Sequence, residues 1–468
     1  MKKCLSILLV IATILTCLPA VPFLHTHAEA SWDGTVATGF ASGSGTPGSP
    51  YVIETVGQLV YLAISVNQGN SYEGVYLSLA NDIVFSPSDF AEGGSLYNDG
   101  NGWTPIGQHT TCPFLGHFEG NGHSIRNLVI SYNGIGLIHA GLFGYTKGTI
   151  RNLNMDNCRV EVTADPSETT AVIQIYAGSV AGCVVNSGVV TGCTSNSTVT
   201  VNARANQGVV SDYVIYAGGI MGYTLGRDAT LSPISCTNSG AVTVNFDLTK
   251  GYASTAYVGG ISGYSGSYIA DSTNSGNITI NSSRRTPYAS TGKMHAGGIA
   301  GTSQYYGLTE NCGDIHNSTN MGVVCVDALD ENTGGTGNKI NYLYTYAGGI
   351  TGYATTADLT GCRNDAAVIS KANAINKGAS SYSPRADAAA GGIAGGYSGG
   401  TIKDCINNAT ISADTIYDST KRISRTAASK GQGPSPRRLM MPSTSLPGWA
   451  VMPWAASTSA AGRLITWA

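Results

Sequence analysis

A short glycine-rich phrase recurs along this chain and constrains its fold more than any other feature. Clean copies read AGGIMGY at 217, VGGISGY at 258, AGGIAGT at 296, AGGITGY at 347 and AGGIAGG at 390, with looser copies AGLFGY at 140 and AGSVAGC at 177. Successive copies begin 37, 40, 41, 38, 51 and 43 residues apart. Such a period is typical of stacked repeat architectures, in which each unit buries its apolar face against the next.

Each unit contains three short segments of strand character, and helical periodicity is missing. In the unit at 217 these segments are AGGIMGY, PISCTN and GAVTVN. Val242 and Val244 alternate with Thr243, which is the pattern of a half-buried strand. Three strands and three turns per unit describe one coil of a parallel β-helix, an all-β fold in which each strand pairs with its equivalent one coil away.

The phrase IRNL helps to set the register of the coils. It occurs at 125–128 and at 150–153, 25 residues apart, which suits a single coil without insertions. Aligned with the later units, its last residue predicts a slot that accepts Leu, Cys and Ser but never a charge, and which therefore lies inside the tube. The slot residues are Leu128, Leu153, Cys193, Cys236, Ser272, Ser318, Cys362 and Cys405.

Length variation is concentrated between the third strand of each unit and the next glycine-rich phrase. The variable segments are roughly 163–176, 203–216, 247–257, 283–295, 327–346 and 371–389. Insertions at one corner of a solenoid emerge along one edge, which is commonly its interaction face. In one of these segments Arg284, Arg285 and Lys293 give a basic character that suits either an acidic glycan or plain solvent.

An aromatic residue recurs directly before the glycine-rich phrase. The residues in this position are Tyr176, Tyr216, Tyr257, His295 and Tyr346. Stacked one coil apart, they would form an aromatic ladder at the edge where the variable segments begin. Such a ladder is either a structural stack that seals a corner of the tube or a platform on which sugar rings lie flat, and both interpretations remain open.

Residues 31–113 lack the repeat and are predicted to form an N-terminal cap with the first coil. An extended start is followed by a short amphipathic helix around 55–67, whose Leu59, Leu62 and Ile64 can face the tube. A solenoid needs such a cap because an open coil end exposes unpaired strand edges.

Residues 1–30 have the features of a secretory signal peptide. Lys2 and Lys3 precede the apolar run CLSILLVIATILTCL, and AEA at 28–30 is a cleavage signal before Ser31. A lipoprotein signal at Cys17 is the alternative, but Thr16 is too bulky for the usual motif. No other stretch approaches the roughly 18 apolar residues that a spanning helix needs. We therefore expect a secreted, extracellular protein without a transmembrane segment, associated with the cell surface in its full-length form.

The middle of the chain resembles a known repeat family. WTPIGQHTTCPFLGHFEGNGHSIRNLVIS at 103–131 and AGLFGYTKGTIRNLNM at 140–155 look like the start of the GLUG-motif repeat region of bacterial surface proteins, and the later AGGIxGY units resemble the motif itself. The resemblance covers roughly residues 32–415, with the repeats proper over 114–415. It implies a right-handed, pectin-lyase-like parallel β-helix. It implies no chemistry, because these repeats occur in adhesin-like stalks and beside zinc proteases that cleave immunoglobulin A.

Signatures of catalysis and of cofactor binding are missing from the sequence. The net charge is −3 and 11% of the residues are charged, so no basic surface for nucleic acid is expected. None of the eight histidines lies in an HExxH motif, and no GKS or GKT follows a glycine-rich phrase. We predict no metal site and no cofactor. Glu119 with His123 is the one tight acid–histidine group, and we interpret it as a structural turn.

Nine cysteines follow the predicted signal peptide, spaced with the coils and without a CxxC pair. We interpret them as small apolar residues stacked inside the tube. Inter-coil disulfides between Cys193 and Cys236 and between Cys362 and Cys405 are the alternative, because strands about 4.8 Å apart fall within the Cα separation of a disulfide.

These features favour a non-enzymatic, adhesin-like stalk over an enzyme. Its partner would be a host or neighbour-cell glycan, or a surface protein, held by the variable loop edge. Two alternatives remain: a polysaccharide lyase or hydrolase that uses the groove of the β-helix, and a spacer within a larger surface enzyme.

Residues 416–468 are predicted to be irregular or disordered. The glycine-rich phrase due near 430 does not return, while Pro, Trp and Met become frequent. A neighbouring reading frame of MPWAAST can encode Ala-Met-Gly-Gly-Ile-Asn. We therefore expect the sequence from about 426 onward to be frameshifted, with an irregular native tail as the alternative.

Overall fold

The computed structural model describes residues 32–166, 170–205, 210–226, 234–249, 253–286, 291–304, 312–332, 342–376, 385–417 and 422–425. The predicted signal peptide and the segment from 426 onward lie outside the described residues.

The N-terminal cap is built around the helix α1, Val56–Asn67. Its first turn is capped by Thr55, whose side chain accepts a hydrogen bond from the backbone N–H of Gln58. Leu59, Leu62 and Val66 are fully buried, whereas Ile64 is 40% exposed. The prediction of Ile64 as a core residue is therefore wrong. Two short 3₁₀ helices follow at Pro87–Asp89 and Asn98–Gly100.

One coil of the solenoid contains five strands. The coil that begins at residue 253 runs through Ala253–Gly259, Ser262–Ser265, Ile269–Ala270, Thr273–Asn274 and Ile278–Thr286. The prediction of three strands per unit is wrong because the glycine-rich phrase is itself a corner. It contains the end of one strand, a turn at the second glycine, and the start of the next strand.

Strands that occupy the same place in successive coils form long sheets, which we name in the order of the chain path. Sheet A, before the glycine corner, contains Leu137–Ala140, Thr170–Gly178, Val210–Gly218, Ala253–Gly259, Thr291–Gly297, Tyr342–Gly348 and Arg385–Gly391. Sheet B, after that corner, contains Phe143–Thr146, Ala181–Asn186, Met221–Gly226, Ser262–Ser265, Ala300–Gln304, Thr351–Thr355 and Ala394–Ser398.

The strands that follow sheet B along the chain belong to one sheet in the first coils and to another sheet in the later coils. Sheet C belongs to the N-terminal coils and contains Tyr51–Ile53, Tyr76–Leu79, His117–Glu119, Thr149–Arg151 and Val189–Thr191. Sheet F belongs to the later coils and contains Ile269–Ala270, Ile315–His316, Leu359–Thr360 and Ile402–Lys403.

Sheets D and E complete each coil. Sheet D contains Ile83–Val84, Ser124–Arg126, Asn154–Asp156, Thr194–Ser195, Thr237–Asn238, Thr273–Asn274, Thr319–Asn320, Arg363–Asn364 and Ile406–Asn407. Sheet E contains Val129–Asn133, Arg159–Ala164, Thr198–Ala205, Val242–Leu248, Ile278–Thr286, Val324–Asn332, Val368–Asn376, Ile411–Tyr417 and Arg422–Arg425.

Strands of successive coils pair in parallel and in register. In sheet E the row Val199, Val242, Ile278, Val324 and Val368 stacks apolar side chains that are fully buried. The last pair of sheet E, Ile411–Tyr417 with Arg422–Arg425, is antiparallel. The prediction of a right-handed parallel β-helix with a helical N-terminal cap is confirmed.

A ladder of buried asparagines holds the glycine corner of the later coils. Each asparagine Nδ2 donates to a backbone carbonyl two residues ahead and, in all but the last asparagine, to the Oδ1 of the asparagine one coil further on, at 2.7–2.9 Å. The ladder residues are Asn238, Asn274, Asn320, Asn364 and Asn407. Asn274, Asn320 and Asn364 are fully buried, so these hydrogen bonds replace the water they have lost.

The second glycine of each phrase makes room for this ladder. A Cβ on Gly298 would overlap Cγ of Asn320 and the carbonyl oxygen of Gly349 in the next coil. A Cβ at Gly219, Gly260, Gly349 or Gly392 would likewise overlap the ladder asparagine of the same coil. The repeated phrase is therefore a steric requirement of a corner packed against a buried amide.

The register predicted from IRNL is wrong for the first coils. Ser124 pairs with Asn154, so the two coils are 30 residues apart in sheet D and not 25. The first IRNL therefore lies at the corner between sheets D and E, and the second at the corner between sheets C and D. Leu128 is the register equivalent of Cys158, because Val129 pairs with Arg159.

Candidate functional site

The five aromatic residues singled out in the sequence occupy one row of sheet A. Tyr176, Tyr216, Tyr257, His295 and Tyr346 are register partners in successive coils. The rings of Tyr176 and Tyr216 are stacked at 4.9 Å and 12°, and those of Tyr216 and Tyr257 at 5.3 Å and 19°. The row begins one coil earlier with His139, stacked on Tyr176 at 5.2 Å.

A second aromatic row in sheet B runs beside the first. It contains Tyr145, Tyr223, Tyr264 and Tyr353, with Cys183, Thr302 and Gly396 in the three remaining coils. Rings of the two rows meet edge to face, as Tyr216 and Tyr223 do at 5.2 Å and 79°. The signal for this row was present in the last residue of the AGGIxGY phrase, which sequence reasoning did not interpret.

The two rows lie at the glycine corner and not at the loop edge. Tyr216 stands six residues after Val210, the first residue of its strand, which is about 20 Å at the rise of an extended chain. The prediction that the ladder begins at the edge of the variable segments is therefore wrong.

The stacking leaves no flat ring face for a sugar along most of the first row. Rings that are nearly parallel and about 5 Å apart cover one another, so only their edges and hydroxyl groups reach solvent. Burial raises the pKa of Tyr176 and that of Tyr346 to about 12. The geometry supports a structural stack that seals the corner between sheets A and B.

His295 interrupts the first row with a buried imidazole. Its Nδ1 lies 2.9 Å from Oγ1 of Thr302, which stands where neighbouring coils have a tyrosine in the second row. Its ring is perpendicular to those of Tyr257 and Tyr346. Burial, and then the charge of Lys293, lowers the pKa of His295 to about 3, so the imidazole is neutral at physiological pH.

The predicted core slot lies at the corner before sheet D. Leu153, Cys193, Cys236, Ser272, Ser318 and Cys362 are buried, and Cys405 in the last coil is half-buried. Leu128 is also buried, but at the next corner, as described above. The hydroxyl groups of Ser272 and Ser318 donate to backbone carbonyls, which explains how this slot holds a polar atom.

All nine described cysteines are free thiols. The backbone N–H of Cys362 lies 3.4 Å from Sγ of Cys405, and a hydrogen bond between the two thiols, together with burial, raises the pKa of Cys362. A hydrogen bond to the thiol of Cys193, together with burial, similarly raises the pKa of Cys236. The two pairs considered for disulfides are thus neighbours in the stack, in their reduced form.

The basic segment at 284–293 does not form one surface. Arg284 is 1% exposed and pairs with the fully buried Asp330 of the next coil, with Nη1 and Oδ2 3.3 Å apart. Gly292 of sheet A leaves the space that this guanidinium occupies, since a Cβ there would overlap Nη1. Lys293 is exposed. For Arg284, both alternatives left open by the sequence, a surface for an acidic glycan and a solvated segment, are wrong because the side chain is buried.

Glu119 and His123 do not form a catalytic pair. Glu119 accepts hydrogen bonds from the backbone N–H of Asn121 at 3.1 Å and from Nδ2 of Asn152 at 2.9 Å. His123 instead lies beside Asp82, with Nδ1 and Oδ1 3.4 Å apart. The acid–histidine group of the sequence is a turn whose two side chains contact different partners.

An aromatic patch with two cations, and with the exposed Asp387 as a register partner of Tyr344, lies at the start of two late strands of sheet A, next to the variable segments. Tyr342 and Tyr344 present parallel rings 6.3 Å apart on the outer face, while Leu343 between them is buried. The guanidinium of Arg385 lies 5.9 Å from the ring centroid of Tyr342, and exposed Lys293 is the register partner of Tyr344. We call Tyr342, Tyr344, Arg385 and Lys293 the loop-edge patch.

A cleft of about 430 Å³ opens on the outer face of sheet C at the N-terminal end. Its floor carries Tyr76 and His117 in one row and Glu119 and Arg151 in the next, and the segment with Pro47 and Pro50 forms part of its wall. The rings of Tyr76 and His117 are stacked at 4.2 Å and 18°. Sequence reasoning missed this cleft because its residues come from three separate coils.

Within the described ranges, no group of three or more His, Cys, Asp or Glu side chains is arranged to hold a metal ion. Among the same residues, no helix is long and apolar enough to cross a membrane.

Comparison with known proteins yields two partial sequence matches. The chain is 33% identical over 156 residues to halomucin of Haloquadratum walsbyi, which covers 33% of this chain and 2% of halomucin. It is 30% identical over 172 residues to a "putative Gly-rich membrane protein" of Evansella cellulosilytica, which covers 36% of this chain and 17% of that protein. The chain thus spans a small part of the length of either relative. No family model matches it.

Among solved structures, the chain is similar to the crystal structure of a "putative immunoglobulin A1 protease" from Bacteroides ovatus. The alignment covers 78% of this chain and 86% of that protein, with 17% sequence identity and a TM-score of 0.41.

Proposed function

We propose that this chain is a bacterial surface protein whose β-helix is an adhesin-like, non-enzymatic stalk of the GLUG-repeat type. It binds a glycan on another cell through the loop edge between sheets E and A. The apolar run and cleavage signal of residues 1–30 support export. The relatives named as a mucin and as a membrane protein are consistent with a place at the cell surface.

The observation that carries the proposal is the loop-edge patch. Tyr342 and Tyr344 are half-buried neighbours whose rings are nearly parallel, with centroids 6.3 Å apart, which is farther than the 4.9 Å between the rings of Tyr176 and Tyr216. Aromatic side chains combine a large apolar surface with a polar tip, which suits the alternating apolar and hydroxyl surfaces of a sugar. Arg385 and Lys293 add cationic donors on either side.

The position of the patch also favours this role. In the later coils, the strand of sheet E leads to the variable segment, and the chain returns from it into the strand of sheet A. The strand ends Thr286, Asn332 and Asn376 are register partners, so successive variable segments start from one edge of the tube. Tyr342 is the first residue of one of the returning strands, so the patch lies at that edge.

The proposal is tested on a carbohydrate array with the labelled protein and two variants. We expect the parent to bind, and the double variant Tyr342→Ala/Tyr344→Ala to lose most of that binding with an unchanged circular dichroism spectrum. Tyr132→Ala is the matched control, because Tyr132 is 38% exposed on sheet E, away from the patch. A parent that binds no glycan, or a double variant that binds as the control does, would overturn the proposal.

A further inference from the structure

The cleft on sheet C contains a cation without an ion-pair partner among the described residues. Arg151 is exposed, and its register partner in the preceding coil is Glu119. Opposite charges on neighbouring strands normally pair, but this carboxylate is held by the backbone N–H of Asn121 and by the side-chain amide of Asn152. The guanidinium of Arg151 therefore keeps its donors available to a ligand.

An aromatic floor lies next to this cation. The stacked rings of Tyr76 and His117 stand in the neighbouring row of the same sheet, and both side chains are half-buried. Burial, and then the charge of Arg151, lowers the pKa of His117, so its imidazole is neutral at physiological pH. The floor is thus an uncharged aromatic surface beside one guanidinium.

The size and the polar groups of the cleft narrow the ligand class. A volume of about 430 Å³ lies in the range of small-molecule sites, which is roughly 300–1,000 Å³. Planar guanidinium groups favour carboxylates because two N–H donors match the two oxygens. Ser78, Glu119 and Asn121 border the same cleft and can exchange hydrogen bonds with hydroxyl groups.

We propose that this cleft binds a uronic acid unit of an acidic polysaccharide. The sugar carboxylate pairs with Arg151, and the pyranose ring lies against the edges of the stacked Tyr76 and His117 rings. The site is separate from the loop-edge patch and contains none of its residues. Binding at one site can therefore be absent while binding at the other is observed.

The test is isothermal titration of the purified protein with trigalacturonate and with its fully methyl-esterified form. We expect the acid to bind and the ester to bind at least tenfold more weakly, because the ester cannot form the charge-assisted pair. Arg151→Gln should weaken the acid about tenfold or more and leave the ester unchanged. Arg159→Gln is the matched control. It also removes one exposed guanidinium, which is paired with Glu161, and it changes the net charge by the same amount as Arg151→Gln.

The variant Glu119→Gln tests whether the bound ligand is negatively charged. This isosteric change keeps an acceptor for Asn121 and Asn152 and removes a negative charge beside Arg151, so an anionic sugar should bind as tightly or more tightly. Absence of acid binding at millimolar concentration, equal affinity for acid and ester, or an unchanged affinity in Arg151→Gln would overturn the proposal. Shortening of the recovered trigalacturonate would support the ligand class and contradict the non-enzymatic stalk proposed above.

Discussion

At the scale of single residues, the second glycine of the repeated phrase and the ladder asparagine act as one unit. Asn320 donates to Gly322 and Asn364 and accepts from Asn274 and Gly322, so its amide is fully hydrogen-bonded inside the tube. The chain can bring that amide against the corner only where the corner has no side chain. This explains why the phrase repeats more faithfully than the rest of each unit.

Gly298→Ala tests this pairing. The new Cβ would overlap both Asn320 and the backbone of the next coil, and we expect the free energy of unfolding to fall by about 3 kcal/mol. Gly39→Ala is the control, because a Cβ at Gly39 meets no atom within 4 Å and should change stability by less than about 0.5 kcal/mol. Urea denaturation of both variants measures the difference, and equal losses would contradict the steric role of the corner.

His295 predicts an acid-dependent loss of stability. The unfolded chain protonates this imidazole below its ordinary pKa of about 6.5, whereas the buried ring in the folded protein stays neutral down to a pKa of about 3. The unfolded state therefore binds more protons between these values. As the pH is lowered through this window, the free energy of unfolding should therefore decrease by about 1.4 kcal/mol per pH unit.

The variant His295→Tyr, which carries the ladder residue of the adjacent coils, removes this titration. Its unfolding free energy should depend less steeply on pH between about 6 and 4 than that of the parent. His139, whose pKa burial lowers to about 4, contributes equally to both proteins. Identical pH profiles from urea titrations at several pH values would show that His295 is not buried as a neutral group.

The identity of single residues predicted which positions are buried better than it predicted which side chains contact one another. Cys193, Cys236 and Cys362 were recognised as core residues because the slot never holds a charge. The burial of Arg284 was not predictable, since an arginine in a polar segment gives no sign that Asp330 lies beside it 46 residues later. The asparagine ladder was visible as a repeated Asn, but the sequence alone does not tell an inward amide from an outward one.

At the scale of elements, sheets E and A meet around a buried polar pair, Arg284 and Asp330. The row that contains Arg284 and Asp330 continues with Leu248 on one side and Ala374 on the other. Gly292 opens the space for the guanidinium. Burying the two charges costs desolvation that their attraction offsets only while both are present.

Asp330→Ala should destabilise the protein by about 3–5 kcal/mol, because it leaves a buried guanidinium without its carboxylate. The double variant Arg284→Leu/Asp330→Ala should recover most of that loss, since it extends the apolar row. Asp327→Ala is the control: it breaks the exposed pair with Lys371, 3.1 Å apart, and should cost about 1 kcal/mol or less. If the double variant is no more stable than Asp330→Ala, the pair contributes through something other than charge compensation.

Strand character was predictable where side chains alternate, as in Val242 and Val244. Corners were not, because a Gly-Gly phrase flanked by apolar residues has the same pattern as a strand. The two IRNL phrases show the same limit. Identical tetrapeptides lie at different corners, since the length of a coil depends on its whole path and not on one motif.

At the scale of the whole molecule, the solenoid separates its candidate binding surfaces by coil and by side. The sheet C cleft belongs to the first coils, and the loop-edge patch to late coils of sheet A. The aromatic rows at the glycine corner contribute packing between successive coils. Because each coil contacts only its neighbours, changes at one surface should leave the other intact.

The in-register stacking of coils is the central claim, and distances along one row of sheet E test it most directly. Thr200, Thr243, Thr279, Cys325, Ile369 and Ser412 are register partners in successive coils. Spin labels carried on non-canonical side chains, at Thr200 with Ser412 and at Thr243 with Ser412, span five and four strand spacings.

Pulsed electron paramagnetic resonance should give narrow distributions near about 24 Å and about 19 Å, since neighbouring strands are about 4.8 Å apart. The decisive quantity is the difference of about 4.8 Å between pairs that lie 212 and 169 residues apart in sequence. Distances well beyond 30 Å, broad distributions, or no difference between the two pairs would contradict a parallel β-helix with this register.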